Sequence, residues 1–390
     1  MNKVLIKNAQ VVCPDEILEN ASLLVVDGRI ADFGEVKETP DDTEIIDAHG
    51  TYLLPAFIEL HAHGGGGYDF ADMSKDAFDS VMKTHLLHGV SLLCPTLVAC
   101  KWEKTMDFLR FCDEYEKGSP MFGGVHLEGP FLSPVMCGAQ KPGSIIEPDG
   151  RKISELAEFS QLISCITAAP EISGTEQLAK ALAPKGVAMS VGHSNADANE
   201  MKKAAEWGFS RVTHLFCSTS RRAKQGSFVI GGIEEQALID DRFTVELIGD
   251  GHHISRESFL LTMKCKGRDR LAVVSDAMRA AGQSEVTESF LGELCPENRV
   301  LIEDGVAKLT DRSSFAGSVA VGDTMVQALC GKYGLPLCEV SYMMSAVPAR
   351  ILGLSDTGMI KRGYKAELIL LDHNYKTKRV LSDCASRYGI

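Results

Sequence analysis

The segment LLPAFIELHAHG, residues 53–64, begins as an almost unbroken apolar run and ends in two histidines. A helix signal follows it, because Ser74 is a good N-cap for the segment SKDAFDSVMKTHLLHG. Apolar runs of this kind, without the polar alternation of a half-exposed strand, are typical of parallel strands buried on both faces. The segment therefore predicts the first strand and helix of an α/β domain.

The same alternation continues along the chain. The further strand segments are VSLLCPTLVA, MFGGVHLEG, CITAAPE, GVAMSVGH, SRVTHLF, FTVELIGDG and RLAVVSDA. Helices are predicted from Trp102, from Ser154, near Glu176, from about Ala196 and from Ser255. Eight apolar strands with helical connections predict a (β/α)₈ barrel of the TIM type. A doubly wound open sheet is the alternative, but no G-x-G-x-x-G motif opens the first helix.

Both ends of the chain have the pattern of β structure. KVLIKNAQVV and ENASLLVVDGRIADFG, with Asp27-Gly28 as a hairpin turn, precede the barrel segments. GMIKRGYKAELILLD and YKTKRVLSD follow them. We therefore expect a small β-sandwich domain built from residues 1–53 and 356–390, with the barrel domain spanning residues 54–355.

Charge and composition exclude several classes of partner. The 40 lysines and arginines against 53 acidic residues give a net charge of −13, with no basic block, so a nucleic-acid partner is not expected. No apolar stretch reaches the roughly 18 to 20 residues of a membrane span, and no secretory signal is recognisable, so we expect a cytoplasmic protein with no membrane partner. The 12 cysteines are scattered without C-x-x-C pairs and are expected to be reduced.

Polar side chains follow the predicted strands at their carboxyl ends, the face that carries active sites in barrels. His61 and His63 are two residues apart, so they point the same way from a strand. The other residues at these ends are Glu128, His193, His214, Asp250, His253 and Asp276. One such histidine alone is more simply a hydrogen-bonded strand-end residue, but all of them on one face favour a metal centre.

Imidazole and carboxylate groups together suit Zn²⁺ or Fe²⁺, and a catalytic site keeps one position open for water. Asp276 can be a ligand, a base or both. Beside water activated by a metal, it can take up a proton and deliver it to a leaving amine. The glycines at 64–67 would let the backbone turn tightly there and leave space for a substrate. The pattern predicts a metal-dependent hydrolase of amide or related bonds.

The chain resembles the amidohydrolase superfamily and, within it, the branch of N-acetylglucosamine-6-phosphate deacetylases. The resemblance rests on the barrel, the split β module and the H-x-H after the first strand. It also rests on strings that run in the family's order between residues 57 and 318, namely FIELHAHGGGGYDF, GVHLEGPFLSP, GAQKPG, VGHSNA, THLF, GDGHH, VSDAM and FAGS. HLEGPF and GHSNA are specific to this branch, whereas H-x-H is shared by many amidohydrolases.

The resemblance implies roles for individual residues. Glu128, His193 and His214 would hold the main metal ion. His61 and His63 would hold a second ion that only some members have, so one or two divalent ions are expected per subunit. Asp276 matches the catalytic base and acid. The residues at substrate-holding positions, with His253 at the phosphate, are Ala139, Gln140, Asp250, Gly251, His253, Phe315, Ala316 and Gly317.

The chain departs from the family's pattern where the sugar phosphate would be held. The family usually continues THLF with Asn-Ala-Met, whereas Cys217 and Ser218 stand here at two substrate-contacting positions. Gln225 aligns near an arginine that reaches the phosphate from the neighbouring subunit of a dimer. Gln140 replaces a histidine that polarises the carbonyl in some members. The residues that could replace the arginine, or simply form an exposed basic turn, are Arg221, Arg222 and Lys224.

Three hypotheses about function follow from the resemblance. The first is deacetylation of N-acetylglucosamine 6-phosphate to glucosamine 6-phosphate and acetate, by a homodimer acting in amino-sugar catabolism. The second is deacetylation of a related compound, such as N-acetylgalactosamine 6-phosphate or an unphosphorylated N-acyl amino sugar. The third is an inactive paralogue that only binds amino-sugar phosphates, and the intact set of ligand residues disfavours it.

Overall fold

The computed structural model describes residues 3–390, apart from the side chain of Ser386, and over this range the chain forms 22 strands. In chain order β1 to β22 are Lys3–Val12, Ile17–Val26, Arg29–Gly34, Glu44–Asp47, Tyr52–Pro55, Phe57–Ala62, Gly64–Gly65, Tyr68–Asp69, Val90–Val98, Val125–Glu128, Ile163–Ala168, Ala188–Val191, Phe209–Val212, Ala223–Gln225, Phe228–Ile230, Thr244–Ile248, Leu271–Val274, Glu288–Phe290, Arg299–Glu303, Val306–Leu309, Leu368–Leu371 and Thr377–Leu381.

Ten α-helices occur in the same range. In chain order α1 to α10 are Lys75–Leu87, Trp102–Glu116, Gly150–Glu158, Thr175–Leu182, Ala198–Trp207, Ile233–Ile239, Arg256–Lys266, Gly322–Val326, Leu337–Met344 and Ala346–Ile351. Helix α8 continues as a π-helix over Gln327–Lys332. Short 3₁₀ turns lie at Phe70–Asp72, Pro142–Ser144, Ala183–Lys185, Arg268–Arg270, Pro296–Asn298 and Ala385–Tyr388.

Eight parallel strands form the barrel. Their hydrogen-bonded order is β6, β9, β10, β11, β12, β13, β16 and β17, and each lies within or overlaps one of the eight predicted segments. The ring closes just beyond the ends of β17 and β6, where the N–H of Asp276 donates to the carbonyl of His61 at 2.9 Å and the N–H of His63 donates to that of Ala277 at 2.7 Å. The predicted (β/α)₈ barrel of the TIM type is confirmed.

Side-chain caps set where the connecting helices begin. Ser74 Oγ accepts from the N–H of Ala77 at the start of α1, as predicted. Helix α5 begins after Asp197, which forms a capping box with the N3 glutamate. Helix α3 begins at Gly150, four residues before the predicted start at Ser154, because Asp149 caps it.

The two ends of the chain join in one mixed sheet, in the order β22, β21, β5, β1, β2 and β3, with β4 beside β1. Asp27 and Gly28 turn the β2–β3 hairpin with φ angles of 50° and 72°. One side of this sheet encloses a core of its own, and the other joins the barrel core. The small β domain built from both ends is therefore confirmed, and its strands form one mixed sheet. Its limits at 1–53 and 356–390 stay predictions, and residues 1 and 2 lie outside the described residues.

A three-stranded antiparallel sheet, β18 to β20, is inserted between β17 and α8 and was not predicted. Its strands are only three to five residues long and half-exposed, so they give no apolar run in the sequence. The apolar side packs on Met278 and Ala316 next to the barrel mouth. The insertion therefore forms one wall at the carboxyl ends of the strands.

Two expectations concern the chain as a whole. All 12 cysteines have free thiols. Within residues 3–390, none of the helices combines the length and the apolar character that crossing a membrane requires. The finding on helices agrees with the absence of an apolar stretch long enough for a membrane span in the sequence.

Candidate metal centre and active site

Glu128, at the end of β10, lies at the centre of a group of histidines. Its Oε1 atom is 2.8 Å from Nε2 of His214 and 3.0 Å from Nε2 of His193. Nε2 of His61 lies 3.6 Å from the same oxygen, and Nε2 of His63 lies 3.5 Å from Oε2. All five side chains are buried. The structure brings the five predicted metal ligands together in two groups that share Glu128.

The chain turns sharply where several of these residues follow their strands. His193, His214 and Asp276 have positive φ angles of 46°, 30° and 50°. This left-handed region is uncommon for residues other than glycine, and such strain persists where the surrounding structure holds it, often at functional sites. The carboxylate Oδ1 of Asp276 lies 3.1 Å from Nε2 of His63 and 3.4 Å from that of His61. The candidate catalytic carboxylate thus faces the second group of ligands.

The hydrogen bond of His193 indicates that the cluster suits a metal ion. Its Nδ1 lies 3.0 Å from the carbonyl oxygen of Met136, which can only accept, so in a neutral ring Nδ1 carries the proton and Nε2 presents a lone pair. That lone pair faces Glu128 at 3.0 Å, and two acceptors at this distance repel unless a cation lies between them, either a proton on the ring or a metal ion. Imidazole and carboxylate donors are accepted by Zn²⁺, Fe²⁺ and related ions. The residues present therefore fit a divalent metal ion.

The surroundings of the two acidic residues keep both carboxylates ionised. In the metal-free protein, burial raises the pKa of Glu128, but the charge and hydrogen bond of protonated His193 and the hydrogen bond of His214 outweigh it, so the pKa lies well below its ordinary value. Burial also raises the pKa of Asp276. The charge of His61 and the hydrogen bond of His63 outweigh this effect, so the pKa of Asp276 is lowered. Asp276 is thus in the form that accepts a proton.

A cavity of about 260 Å³ opens beside the cluster at the barrel mouth. Asp276 and four of the potential metal ligands line it. Seven of the predicted substrate-binding residues also line it, namely Ala139, Gln140, Cys217, Ser218, His253, Phe315 and Gly317. The groups predicted for chemistry and for substrate binding therefore meet in one cavity.

Comparison with known families agrees with this geometry. The sequence model described as "Amidohydrolase family" matches residues 52–386. The chain belongs to the amidohydrolase family. It is therefore a hydrolase that acts on amide bonds, as the sequence predicts.

Several amidohydrolases resemble this chain over nearly its whole length. N-acetylgalactosamine-6-phosphate deacetylase of Escherichia coli O157:H7 is 28% identical over 93% of this chain and 93% of its own. N-acetylglucosamine-6-phosphate deacetylase of Bacillus subtilis is 29% identical over 94% of this chain and 93% of its own. A solved structure of a variant N-acetyl-D-glucosamine-6-phosphate deacetylase from Mycobacterium smegmatis, in complex with N-acetyl-D-glucosamine-6-phosphate, has a TM-score of 0.88 at 27% identity and covers 98% of each chain.

In this amidohydrolase, Asp250 does not line the cavity but is hydrogen-bonded to His253, which does. Its Oδ2 accepts from Nδ1 of His253 at 2.7 Å, and its Oδ1 accepts from the backbone N–H of the same residue at 3.0 Å. The His253 ring packs 4.7 Å from the ring of Phe315. Asp250, Gly251 and the fully buried Ala316 are not among the described residues that line the cavity. They shape the loops that present His253 and Phe315.

Gln225 lies away from the amidohydrolase cavity of its own chain. It belongs to the hairpin of β14 and β15, within the exposed segment 221–229. Phe228 and Val229 at the far side of this hairpin are 76% and 65% exposed. In the described chain, neither Gln225 nor the basic residues of the turn line the cavity. This exposed segment is therefore not part of the wall of the cavity.

Close packing explains the glycine run at 64–67. A Cβ atom on Gly64 would lie 2.3 Å from the carbonyl oxygen of Tyr68 and 3.0 Å from the backbone nitrogen of Arg279. The last two glycines have φ angles of 62° and 92°, so the predicted tight turn is present. None of the four is among the described residues that line the cavity, so they do not supply the predicted space for a substrate.

Below the metal centre the barrel interior is polar, a feature not predicted from the sequence. Arg211 of β13 and Glu246 of β16 form a buried ion pair. Burial raises the pKa of Glu246, but the charge of Arg211 outweighs it and the pKa is lowered. His126 of β10 is hydrogen-bonded to Thr167 at 2.8 Å. The sequence did contain a signal for this ion pair. Arg211 and Glu246 are opposite charges inside two predicted buried strands, and a buried charge needs a partner.

Proposed function

We propose that this amidohydrolase removes the acetyl group of N-acetylglucosamine 6-phosphate and releases glucosamine 6-phosphate and acetate, as a step of amino-sugar catabolism. The observation that carries the proposal is the position of Asp276, whose ionised carboxylate lies beside the potential metal ligands at the wall of the cavity. The names of the curated relatives and the sugar phosphate bound in the M. smegmatis structure support this substrate.

In the proposed reaction, the chain's own groups hold the amide and move one proton. A bound divalent ion supplies a Lewis acid that polarises the carbonyl and lowers the pKa of water towards about 7. Asp276 accepts a proton from the attacking water and then donates it to the leaving nitrogen, which departs as the amine. The cavity walls hold the sugar so that the amide lies next to this carboxylate.

Gln140 has a supporting role in this proposal. Its Nε2 donates to Oε2 of Glu128, and its Oε1 accepts from the N–H of Ala99 at 2.7 Å. Both ends of the amide are therefore engaged by the protein. Gln140 would hold Glu128 in place, and polarisation of the substrate carbonyl would come from the metal ion.

We further propose Zn²⁺ or Fe²⁺ as the ion. Glu128, His193 and His214 would hold the first ion, and His61 and His63 would hold a second ion together with Glu128. Each of the two groups contains three donors, which leaves positions open for water and for the substrate.

His253 would contact the phosphate, and Phe315 and Gly317 would contact the sugar. Asp250 and Gly251 would hold the loop of His253, and the buried Ala316 would hold that of Phe315. Burial, followed by the charges of Asp276 and Asp250, raises the pKa of the Cys217 thiol, so Cys217 would meet the sugar as a neutral and weak hydrogen-bond donor. Ser218, the next residue in the cavity wall, would offer its hydroxyl to the sugar.

The alternative substrate is N-acetylgalactosamine 6-phosphate or another N-acyl amino sugar. It is favoured by Cys217 and Gln225, which differ from the usual residues at positions that contact the sugar phosphate. The similarity to the E. coli N-acetylgalactosamine-6-phosphate deacetylase supports it as well. The two sugars differ only in the configuration of one hydroxyl, which weak donors distinguish poorly.

The test is an assay of free amine released from a panel of phosphorylated and unphosphorylated N-acetyl hexosamines, with the protein loaded with each metal. Fastest release from N-acetylglucosamine 6-phosphate is the expected result. Faster release from N-acetylgalactosamine 6-phosphate or from an unphosphorylated sugar would move the assignment to the alternative. Binding without any release would favour the inactive paralogue.

We also propose that the protein is a cytoplasmic homodimer. The exposed apolar side chains of Phe228 and Val229, next to Arg221, Arg222 and Lys224, suit a contact with a second copy that brings cations towards its phosphate site. Mass measurement in solution should give a dimer, and Phe228→Asp should shift it towards monomer. A monomeric wild-type protein would contradict this part of the proposal.

A further inference from the structure

His61 has one ring nitrogen in the metal centre and the other against a buried carboxylate. Its Nε2 lies 3.3 Å from Nε2 of His63 and 3.4 Å from Oδ1 of Asp276. Its Nδ1 faces Oε2 of Glu246 at 3.6 Å. Within the described residues, neither Nδ1 of His61 nor Oε2 of Glu246 has a hydrogen-bond partner. Two orphaned polar atoms of matching chemistry thus face each other below the site.

We propose that Glu246 is a positioning residue that fixes the tautomer of His61 and thereby creates the second metal site. A separation of 3.6 Å is longer than a hydrogen bond, but buried polar atoms rarely remain without a partner, and these two atoms face each other. Nε of Arg211 also has no partner among the described residues, but a carboxylate oxygen has two lone pairs and can accept from both donors. The inference rests on the proposed two-ion centre.

The surroundings hold Glu246 in the required orientation. Its other oxygen, Oε1, accepts from the guanidinium of Arg211, which is 4% exposed and cannot lose its proton. Because that contact occupies Oε1, Oε2 remains for His61. On the other side, the ring of His126 packs edge-on against the His61 ring with 4.5 Å between centroids. The imidazole of His61 therefore has little freedom to turn away from Glu246.

The tautomer decides whether His61 can bind a cation. When Nδ1–H donates to Glu246, the lone pair of the neutral ring is on Nε2, which is the atom in the metal centre. The arrangement parallels that of His193, whose Nδ1 donates to the carbonyl of Met136. Each group of potential ligands thus contains one histidine whose second nitrogen meets an acceptor. The acceptor for His61 is a carboxylate, which also raises the basicity of the ring.

Glu246→Gln is the decisive variant because it keeps the shape of the side chain and replaces one acceptor oxygen by an N–H donor. Because Arg211 can only donate, the amide oxygen of the glutamine should occupy the position of Oε1, next to Arg211. The amide nitrogen should then face His61. A donor at that position favours the tautomer with the proton on Nε2, which removes the lone pair from the metal centre. We expect the affinity for the second ion to fall by about 10- to 100-fold, with the first ion retained.

The experiment is a titration of the metal-free full chain with Zn²⁺, read by calorimetry and by metal analysis after gel filtration. Wild-type protein should bind two ions per chain and Glu246→Gln only one at the same concentration of free Zn²⁺. Ser190→Ala is the matched control, because Ser190 is buried in the same polar layer but is hydrogen-bonded to Thr213, and it should keep both ions. Two equally tight ions in Glu246→Gln, or a single ion in the wild type, would overturn the proposal.

A second measurement covers the case in which Glu246→Gln does not fold. Nitrogen-15 NMR of histidine-labelled, Zn²⁺-loaded wild-type protein reports which ring nitrogen carries the proton, with the His61 signal assigned by His61→Asn. We expect the proton of His61 on Nδ1, and a proton on Nε2 would refute the role of Glu246. Neither readout uses a substrate. A protein that binds two ions but releases no amine would therefore fail the proposed function and leave this inference standing.

Discussion

The carboxylate of Asp276 and the imidazole of His63 face each other where the barrel closes, with 3.1 Å between Oδ1 and Nε2. The two residues come from opposite ends of the barrel sequence, and the backbone of Asp276 is held by the N–H that it donates to the carbonyl of His61. A carboxylate anchored in this way can reach both a bound ion and a substrate amide. Its position links the metal ligands to the proton transfer.

We expect Asp276→Asn to keep its bound metal and to lose turnover. The amide has nearly the shape of the carboxylate but cannot accept the proton of the attacking water, so kcat should fall by about 10²- to 10⁴-fold. Metal analysis and amine release on the same preparation give the comparison. Undiminished turnover would remove the aspartate from the reaction, and loss of metal would show that it acts as a ligand.

Glu128 should be required for both ions, because it is the member shared by the two groups of potential ligands. In Glu128→Gln, Zn²⁺ affinity should fall by more than about 100-fold at both sites, since the effect of losing a ligand exceeds that of losing an outer partner. His63→Asn removes a donor from one group only and should leave one tightly bound ion. Two ions retained in Glu128→Gln would contradict the shared position.

Cys217 should set part of the sugar selectivity. Cys217→Asn restores the amide that is usual in the family, and one additional hydrogen bond of about 1 kcal/mol corresponds to roughly a fivefold lower KM for N-acetylglucosamine 6-phosphate. The matched control is Cys265→Asn, which changes an exposed cysteine that does not line the cavity. Equal KM values in wild type and Cys217→Asn would show that this position does not meet the sugar.

The buried His85 of α1 should make stability depend on pH. Burial lowers its pKa to about 4, although its hydrogen bond with the carbonyl of Gly64 at 3.1 Å opposes the shift. The unfolded chain takes up this proton near pH 6.5 and the folded chain only near pH 4. The contribution of His85 to the free energy of unfolding is therefore retained above pH 6.5 and should fall by about 3 kcal/mol between pH 6.5 and 4. The buried His126, whose pKa burial also lowers, adds to the fall in the same direction.

Urea unfolding of the metal-free protein across this pH range checks the expectation. His85→Gln keeps an N–H for the carbonyl of Gly64 but cannot take up a proton, so its stability should fall less steeply below pH 6.5. Parallel curves for the two proteins would show that other groups cause the loss.

The main elements could be predicted because their signals are local. The apolar runs of the eight barrel strands and the N-cap of α1 at Ser74 lie within a few residues of each other in the chain. Helix α3 was misplaced because Ser154 resembles a cap, although Asp149 provides the hydrogen bond. The insertion of β18 to β20 was missed because its strands are short and half-exposed, so they owe their pairing to contacts with the barrel mouth.

The sequence by itself determined that His61, His63, Glu128, His193, His214 and Asp276 end strands of one barrel, because parallel strands bring their carboxyl ends to the same rim. Only the tertiary structure decided that Glu128 is shared by two pairs of histidines and that Glu246, paired with Arg211, lies under His61. These distances depend on strand register, on closure of the barrel and on side-chain rotamers. All three are set by contacts between residues that are far apart in the chain, so no local pattern could contain them.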